Sequence, residues 1–303
     1  MLPFNFPPQP IKTRIAPTPS GYLHIGNAYS FLLTWIITQI QGGELFLRID
    51  DIDSPRIKDA YLDDIFHTLD WLNITYDKGP ENVKDFKKNH SQQLRIEEYQ
   101  YYLNKLKEKQ KLFTCNCSRS EIKKHSTDGQ YPMHCRTSER AWEAPQTAWR
   151  IITPNQDILI HDLLKGPISL NLFQTMRDFV VRRKEGIIAY QIVSLIEDIK
   201  ANINLIVRGE DLLSCSAAQL LLAKELGLSS FQNASFIHHS LIMDKNGQHK
   251  LSKSKGAASI KELRQYHSPS KVYQLVAQHM KWESHGIETL EDLLNSAQER
   301  LLQ

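Results

Sequence analysis

A chain of 303 residues with 41% hydrophobic and 23% charged side chains has the apolar content for a buried core, which excludes a disordered or fibrous protein and predicts two or three structural units. No apolar run reaches the roughly 18 residues of a membrane span, and residues 1–10 lack the charged start and apolar middle of a signal peptide, so the cytoplasm is the expected compartment. The formal net charge of +3 permits a nucleic-acid partner without demanding one.

In chain order, residues 13–16 read as a short strand. The segment PTPSGYLHIGN follows at 17–27, where Pro and Gly break regular structure just ahead of the apolar run from Ala28 to Ile37. His24, Gly26 and Asn27 therefore fall where a loop becomes a helix, predicted over 29–41. Such a helix N-terminus offers amide donors and the positive end of a dipole to phosphate. Residues 44–49 alternate as a strand, completing a βαβ unit. Leu62, Ile65, Phe66 and Leu69 mark a helix over 59–71. A further helix over 92–110 carries Tyr99, Tyr102, Leu103 and Leu106 on one stripe, a pattern of core packing.

From 112 to about 188 the pattern turns to short strands and cysteine-containing loops. The parallel pattern resumes with a strand at 203–207, then RGED at 208–211 and a helix over 212–226. The turn signal Lys245-Asn246-Gly247 precedes KLSKS at 250–254, whose Lys250 and Lys253 ammonium groups can reach a triphosphate. Helical patterns close the chain over 260–266, 270–279 and 289–302. This order predicts an α/β fold, a doubly wound parallel sheet split by an insertion, with its site at the carboxyl ends of the strands, where residues about 200 apart in sequence converge. The predicted units are 1–78 with 188–240, an inserted 79–187, and a helical 241–303.

Three of the four cysteines, Cys115, Cys117 and Cys135, cluster within a short span. In a reducing compartment this suits a zinc site better than a disulfide. The fourth ligand is open among Tyr131, His134 and His125, and acid–base chemistry favours imidazole over a phenol with a pKa of about 10. Cys215 lies in an apolar helix and reads as a packing residue. Arg14 and Arg208, at predicted strand ends, have the planar fork that suits carboxylates.

The 17–27 and 250–254 segments, in that order, resemble the HIGH and KMSKS signatures of the class I aminoacyl-tRNA synthetases, with Asn27 in place of the last His and Leu251 in place of Met. LRIDDID at 47–53 and the stretch from YQIVSLIED at 190–198 to VRGED at 207–211 are similar to the glutamyl branch. The likeness runs from Lys12 to about Trp282. It implies a class I synthetase Rossmann-like fold and a glutamate pocket of Arg14, Ala16, Thr18, Asp50, Tyr190 and Arg208. It also implies ATP bound by His24, Gly26, Asn27, Lys250 and Lys253, with Mg2+ on the triphosphate and His24 and Lys253 as the catalytic pair. The stretch YPMHC at 131–135 resembles half of a Cys-x-Cys…Tyr-x-x-x-Cys zinc site, which makes Cys115, Cys117, Tyr131 and Cys135 the implied Zn2+ ligands. Asp50 departs from the family, which has Glu there. The shorter side chain reaches about 1.5 Å less far, and weaker glutamate affinity is expected. Asp53 is expected to serve local structure or the tRNA end.

The short stretch after Ser254 leaves no room for an anticodon-reading domain, so the likeness is greatest to the short paralogues that attach glutamate to the queuosine base in the anticodon of tRNA(Asp). The expected partners are L-glutamate and queuosine-bearing tRNA(Asp), met as a monomer and without a membrane. Two alternatives are a truncated glutamyl-tRNA synthetase acting on tRNA(Glu) and a catalytically silent tRNA-binding paralogue.

Overall fold

The computed structural model describes residues 6, 10–53, 55, 57–126, 130–137, 140–242 and 259–301, so the KLSKS stretch with Lys250 and Lys253 lies outside the described residues. Nine strands are present among them: β1 (Lys12–Ile15), β2 (Glu44–Leu47), β3 (Leu112–Cys115), β4 (Ala148–Ile151), β5 (Asp157–Asp162), β6 (Gly166–Asn171), β7 (Val180–Arg182), β8 (Leu205–Gly209) and β9 (Ser235–His239).

β1 and β2 pair in parallel with Arg14 opposite Phe46, and the helix Ile25–Gln41 crosses between them. That helix starts four residues before the predicted 29, because His24 caps it and Asn27 returns the bond in a capping box. It stops at Gly42, whose φ of 59° is the left-handed conformation that glycine adopts without penalty. β8 and β9 form a second parallel pair, Arg208 opposite His238, joined by the helix Leu213–Leu226. The two pairs meet where the Lys12 amide donates to Asn204 Oδ1 at 2.9 Å and the Asn204 amide donates to the Lys12 carbonyl at 3.0 Å.

Within the span read as an insertion, β3, β4 and β7 make their own antiparallel sheet. The β5–β6 hairpin does not join it. β5 lies parallel beside β9 instead, with Asp162 opposite Phe236. The cores follow the same division. One surrounds the Ile25–Gln41 helix and the C-terminal helices Ser270–Met280 and Leu290–Leu301. The other joins Tyr99, Leu103, Leu112 and Trp149 to Ile192, Leu195, Ile206 and Leu221, so residues on both sides of the 187/188 boundary share one apolar interior.

The predicted 92–110 helix is a 3-10 turn over Gln92–Arg95 and α-helical only over Ile96–Glu108. Its first residues are committed elsewhere: the Ser91 hydroxyl and the Gln92 amide both donate to Asp51. Tyr99, Leu103 and Leu106 are fully buried and Tyr101 is exposed, as the stripe requires. No described helix is long and apolar enough to cross a membrane.

Candidate active site

A cavity of about 620 Å3 opens at the carboxyl ends of β1, β8 and β9. Arg14, Ala16, Thr18, His24, Gly26, Asn27, Asp50, Tyr190 and Arg208 all line it. Every glutamate-pocket residue named from the sequence is thus in one place, together with the three ATP-site residues that are described.

At the helix end, His24 Nδ1 accepts from the Gly26 amide at 3.1 Å, and the Asn27 side-chain oxygen accepts from the His24 amide at 3.0 Å. The amides of Asn27 and Ala28 both reach the His24 carbonyl. These first-turn donors therefore have local partners, and the attraction this helix end offers a phosphate is chiefly that of its dipole. Asn27, the departure from HIGH, has a visible task as the reciprocal cap. The chain leaves the described residues at Ile242, which lines the cavity, and returns at Ser259, which bridges to His24 while the Ile260 amide donates to the Leu23 carbonyl at 2.8 Å. Both attachment points of the segment that contains KLSKS are at the cavity.

The floor is a buried ionic network. Arg48 grips Asp50 with a fork, Nε to Oδ1 at 2.7 Å and Nη2 to Oδ2 at 3.1 Å, and Gln92 Nε2 adds a bond to Oδ1 at 2.8 Å. Asp50 is thus held by protein donors, with Oδ2 the less occupied oxygen. Burial pushes its carboxyl up, against the pull of Arg48. Asp198, on the helix Tyr190–Lys200, accepts from Arg14 Nε at 2.9 Å and from Arg48 Nη1 at 2.5 Å. Burial would raise Asp198 too, but Arg14, Arg48 and Arg208 outweigh it and hold the carboxyl below its ordinary range.

Arg208 stands apart from this pairing. Its Nη1 donates to Gln219 Oε1 at 2.9 Å, while Nε and Nη2 are buried with no hydrogen-bond partner among the described residues. Burial pulls its pKa down. Three guanidiniums thus face two carboxylates, Asp50 and Asp198, in a place that water barely reaches. A buried cation with unmatched donors is costly unless an anion completes it.

Sequence reasoning missed Arg48, Gln92, Asp198 and Gln219, which hold the named residues in position, and His239, which lines the cavity beside Gly209. Arg48 was legible as the neighbour of Asp50 in LRIDDID. Asp198 closes the YQIVSLIED run, and Gln92, Gln219 and His239 carry no local pattern. Asp53 pairs with Arg183 at 3.2 Å, in keeping with a structural task.

Away from the cavity, the sulfurs of Cys115, Cys117 and Cys135 lie within 4.8 Å of one another. The Tyr131 hydroxyl accepts from the Cys135 amide at 3.2 Å, and His134 Nε2 is 3.1 Å from Cys117 Sγ. Of the three candidates for a fourth ligand, Tyr131, buried, and His134, exposed, are thus at the triad, and the His125 ring lies 6.1 Å from that of His134. Burial pushes the Cys117 thiol up to about 12, with the neighbouring cysteines adding to it. Three soft sulfurs with an adjacent phenol or imidazole are a donor set that fits Zn2+.

Residues 10–299 match the family model of class I tRNA synthetases (E and Q), catalytic domain. The chain is 32% identical over 267 residues to a glutamyl-Q tRNA(Asp) synthetase of Nitratidesulfovibrio vulgaris, covering 84% of this chain and 81% of that one. It is 33% identical over 267 residues to glutamate–tRNA ligase 2 of Syntrophus aciditrophicus, covering 84% of this chain and 54% of that one. The fold superimposes on a glutamate-tRNA synthetase crystal structure from Elizabethkingia anophelis with a TM-score of 0.75 at 22% identity, covering 94% of this chain and 65% of that one. The chain thus spans about half of the Syntrophus ligase and less than two thirds of the solved synthetase. The converging Arg14, His24 and Arg208 and the family match over nearly all of the sequence lead to one assignment: this chain belongs to the class I tRNA synthetases of the glutamyl and glutaminyl type.

Proposed function

We propose that this enzyme activates L-glutamate with ATP and transfers the glutamyl group to the queuosine base in the anticodon of tRNA(Asp). The observation that carries the first half is Arg208, whose buried Nε and Nη2 have no partner among the described residues. They suit the distal carboxylate of glutamate in a bidentate fork. Asp50 Oδ2 and the Tyr190 hydroxyl are the groups for the α-ammonium, and Arg14, Ala16 and Thr18 complete the pocket.

An oxygen of the α-carboxylate attacks the α-phosphorus of ATP in line, the bond to the bridging oxygen breaks, and pyrophosphate leaves with its electron pair. No protein nucleophile takes part, and catalysis is positioning and charge stabilisation. His24, Gly26 and Asn27 face the phosphates, and Lys250 and Lys253 neutralise the charge that develops on pyrophosphate. Mg2+ accompanies ATP and screens its triphosphate. We read the β1–β2 and β8–β9 units as halves of a doubly wound parallel sheet, with residues 1–78 and 188–240 catalytic, 79–187 contacting tRNA, and 241–303 carrying the KLSKS loop. Zn2+ held by Cys115, Cys117 and Cys135 with Tyr131 or His134 would rigidify the end of β3.

The queuosine reading is supported by the match over 81% of the Nitratidesulfovibrio relative. Charging of tRNA(Glu) is the second reading, favoured by the 33% identity to the Syntrophus ligase against 32% to the Nitratidesulfovibrio relative. The test is transfer of labelled glutamate to tRNA(Asp) with and without queuosine, its 3′ end blocked enzymatically, because periodate would also attack the queuosine diol. Queuosine-dependent labelling of the blocked tRNA is expected. Labelling confined to tRNA(Glu) with a free 3′ end would overturn the base-modification reading.

A further inference from the structure

His239 is the last residue of β9 and is only 3% exposed. Its ring meets the Tyr29 ring edge-on, centroids 4.5 Å apart. Nδ1 is 2.9 Å from the Ser240 carbonyl oxygen. A carbonyl only accepts, so Nδ1 carries the proton and Nε2 presents a lone pair. That Nε2 is buried with no partner among the described residues. Burial pulls the imidazole down to about 4, which keeps it neutral in the physiological range. A buried acceptor left unmatched is unfavourable, and here it belongs to a residue that lines the cavity.

The neighbours indicate what kind of ligand completes it. Gly209, Asp211, Leu212, Leu241 and Ile242 line the same cavity as His239. A Cβ added to Gly209 would sit 2.6 Å from Asp211 Oδ1, 3.0 Å from Leu241 Cδ2 and 3.7 Å from His239 Cε1, so glycine keeps this wall flush. The aliphatic Leu212, Leu241 and Ile242 beside the Asp211 carboxylate suit a nucleoside, with a base against the apolar side chains and donor groups facing acceptors, whereas a carboxylate is drawn to Arg208.

We propose that His239 is a nucleotide-reading residue whose Nε2 accepts a hydrogen bond from the adenosine part of ATP, either a ribose hydroxyl or the exocyclic amine. This rests on the ATP-binding reading of the same cavity. Tyr29 and the Ser240 carbonyl position the ring and set its tautomer, so that the site offers an acceptor where ATP offers a donor.

The experiment is glutamate-dependent pyrophosphate exchange with ATP, 2′-deoxyATP, 3′-deoxyATP and purine riboside triphosphate, each of the last three lacking one donor. Wild type, His239→Leu and His239→Gln are compared. In wild type, one analogue should lose about tenfold in kcat/KM, the worth of one neutral hydrogen bond. In His239→Leu that penalty should vanish while the penalties for the other two analogues persist. In His239→Gln, whose side-chain oxygen can stand in for Nε2, it should partly return. Which analogue responds identifies the donor. Equal penalties in wild type and His239→Leu, with ATP still used, would overturn the role of His239 alone. No exchange with ATP in wild type would overturn it together with the ATP reading.

Discussion

Replacing Arg208 with Met, a side chain of similar length and no charge, should cripple glutamate use while leaving the unliganded fold about as stable as before. Two guanidinium nitrogens of Arg208, Nε and Nη2, are buried without partners among the described residues, and Nη1 donates to Gln219 Oε1. An unmatched buried polar group costs about 1–3 kcal/mol, so removing two outweighs or offsets the one newly created on Gln219. The substitution also leaves two guanidiniums facing two carboxylates where there were three. Binding should move the opposite way. Two charge-assisted hydrogen bonds to a carboxylate are worth about 1.5–3 kcal/mol each, which predicts a fall in kcat/KM for glutamate of about 10²- to 10⁴-fold. The assays are glutamate-dependent pyrophosphate exchange and urea unfolding with and without glutamate. Wild type should gain about 2.7 kcal/mol at a glutamate concentration of 100 Kd, and the variant nothing. Unchanged kcat/KM, or a loss of more than about 2 kcal/mol of unliganded stability, would refute the reasoning and make Arg208 a structural cation.

Asp198→Asn should destabilise the fold by about 3–5 kcal/mol in urea unfolding, because Arg14 and Arg48 lose a buried counter-charge; a shift below about 1 kcal/mol would contradict that account. Lys253→Ala should abolish adenylate formation with the circular dichroism spectrum unaltered, and an unaltered exchange rate would remove Lys253 from catalysis. Cys117→Ser should release bound zinc and lower the melting temperature, whereas full metal stoichiometry by elemental analysis would refute the site. The buried neutral His239, at about 4 in the fold against about 6.5 unfolded, makes the unfolded chain bind more protons in between. Stability therefore falls as pH drops through 6.5 toward 4, by about 2 kcal/mol at pH 5 from this residue. His239→Gln should remove that share of the acid sensitivity, and identical pH profiles for variant and wild type would show that the ring titrates normally.

The helix-forming stretches at 59–71 and 260–266 were legible to the residue, because their apolar side chains recur at helical spacing, and the second is also capped by Ser259. The glutamate-pocket residues were legible through resemblance, since each lies beside a recognisable run such as LRIDDID or VRGED. The hairpin β5–β6 was not. Its alternation announces a strand pair, but its partner β9 lies more than 60 residues further along, and nothing local states which sheet edge it will meet. The 92–110 element differs at its start for a similar reason: Ser91 and Gln92 are anchored to Asp50 and Asp51, far off in sequence, and residues 92–95 form a 3-10 turn there.

The sequence by itself determined the α/β class, the positions of the two signature segments, the cysteine cluster and the two arginines suited to carboxylates. These depend on residue type and short spacing, which physical chemistry reads one segment at a time. Only the tertiary structure decided how the charges divide. Asp50 is gripped by Arg48 and Asp198 takes Arg14, so Arg208 is left with donors that no described residue matches. Pairing of buried charges depends on which side chains come within about 3 Å after strands distant in sequence align, and that distance is a property of the assembled fold.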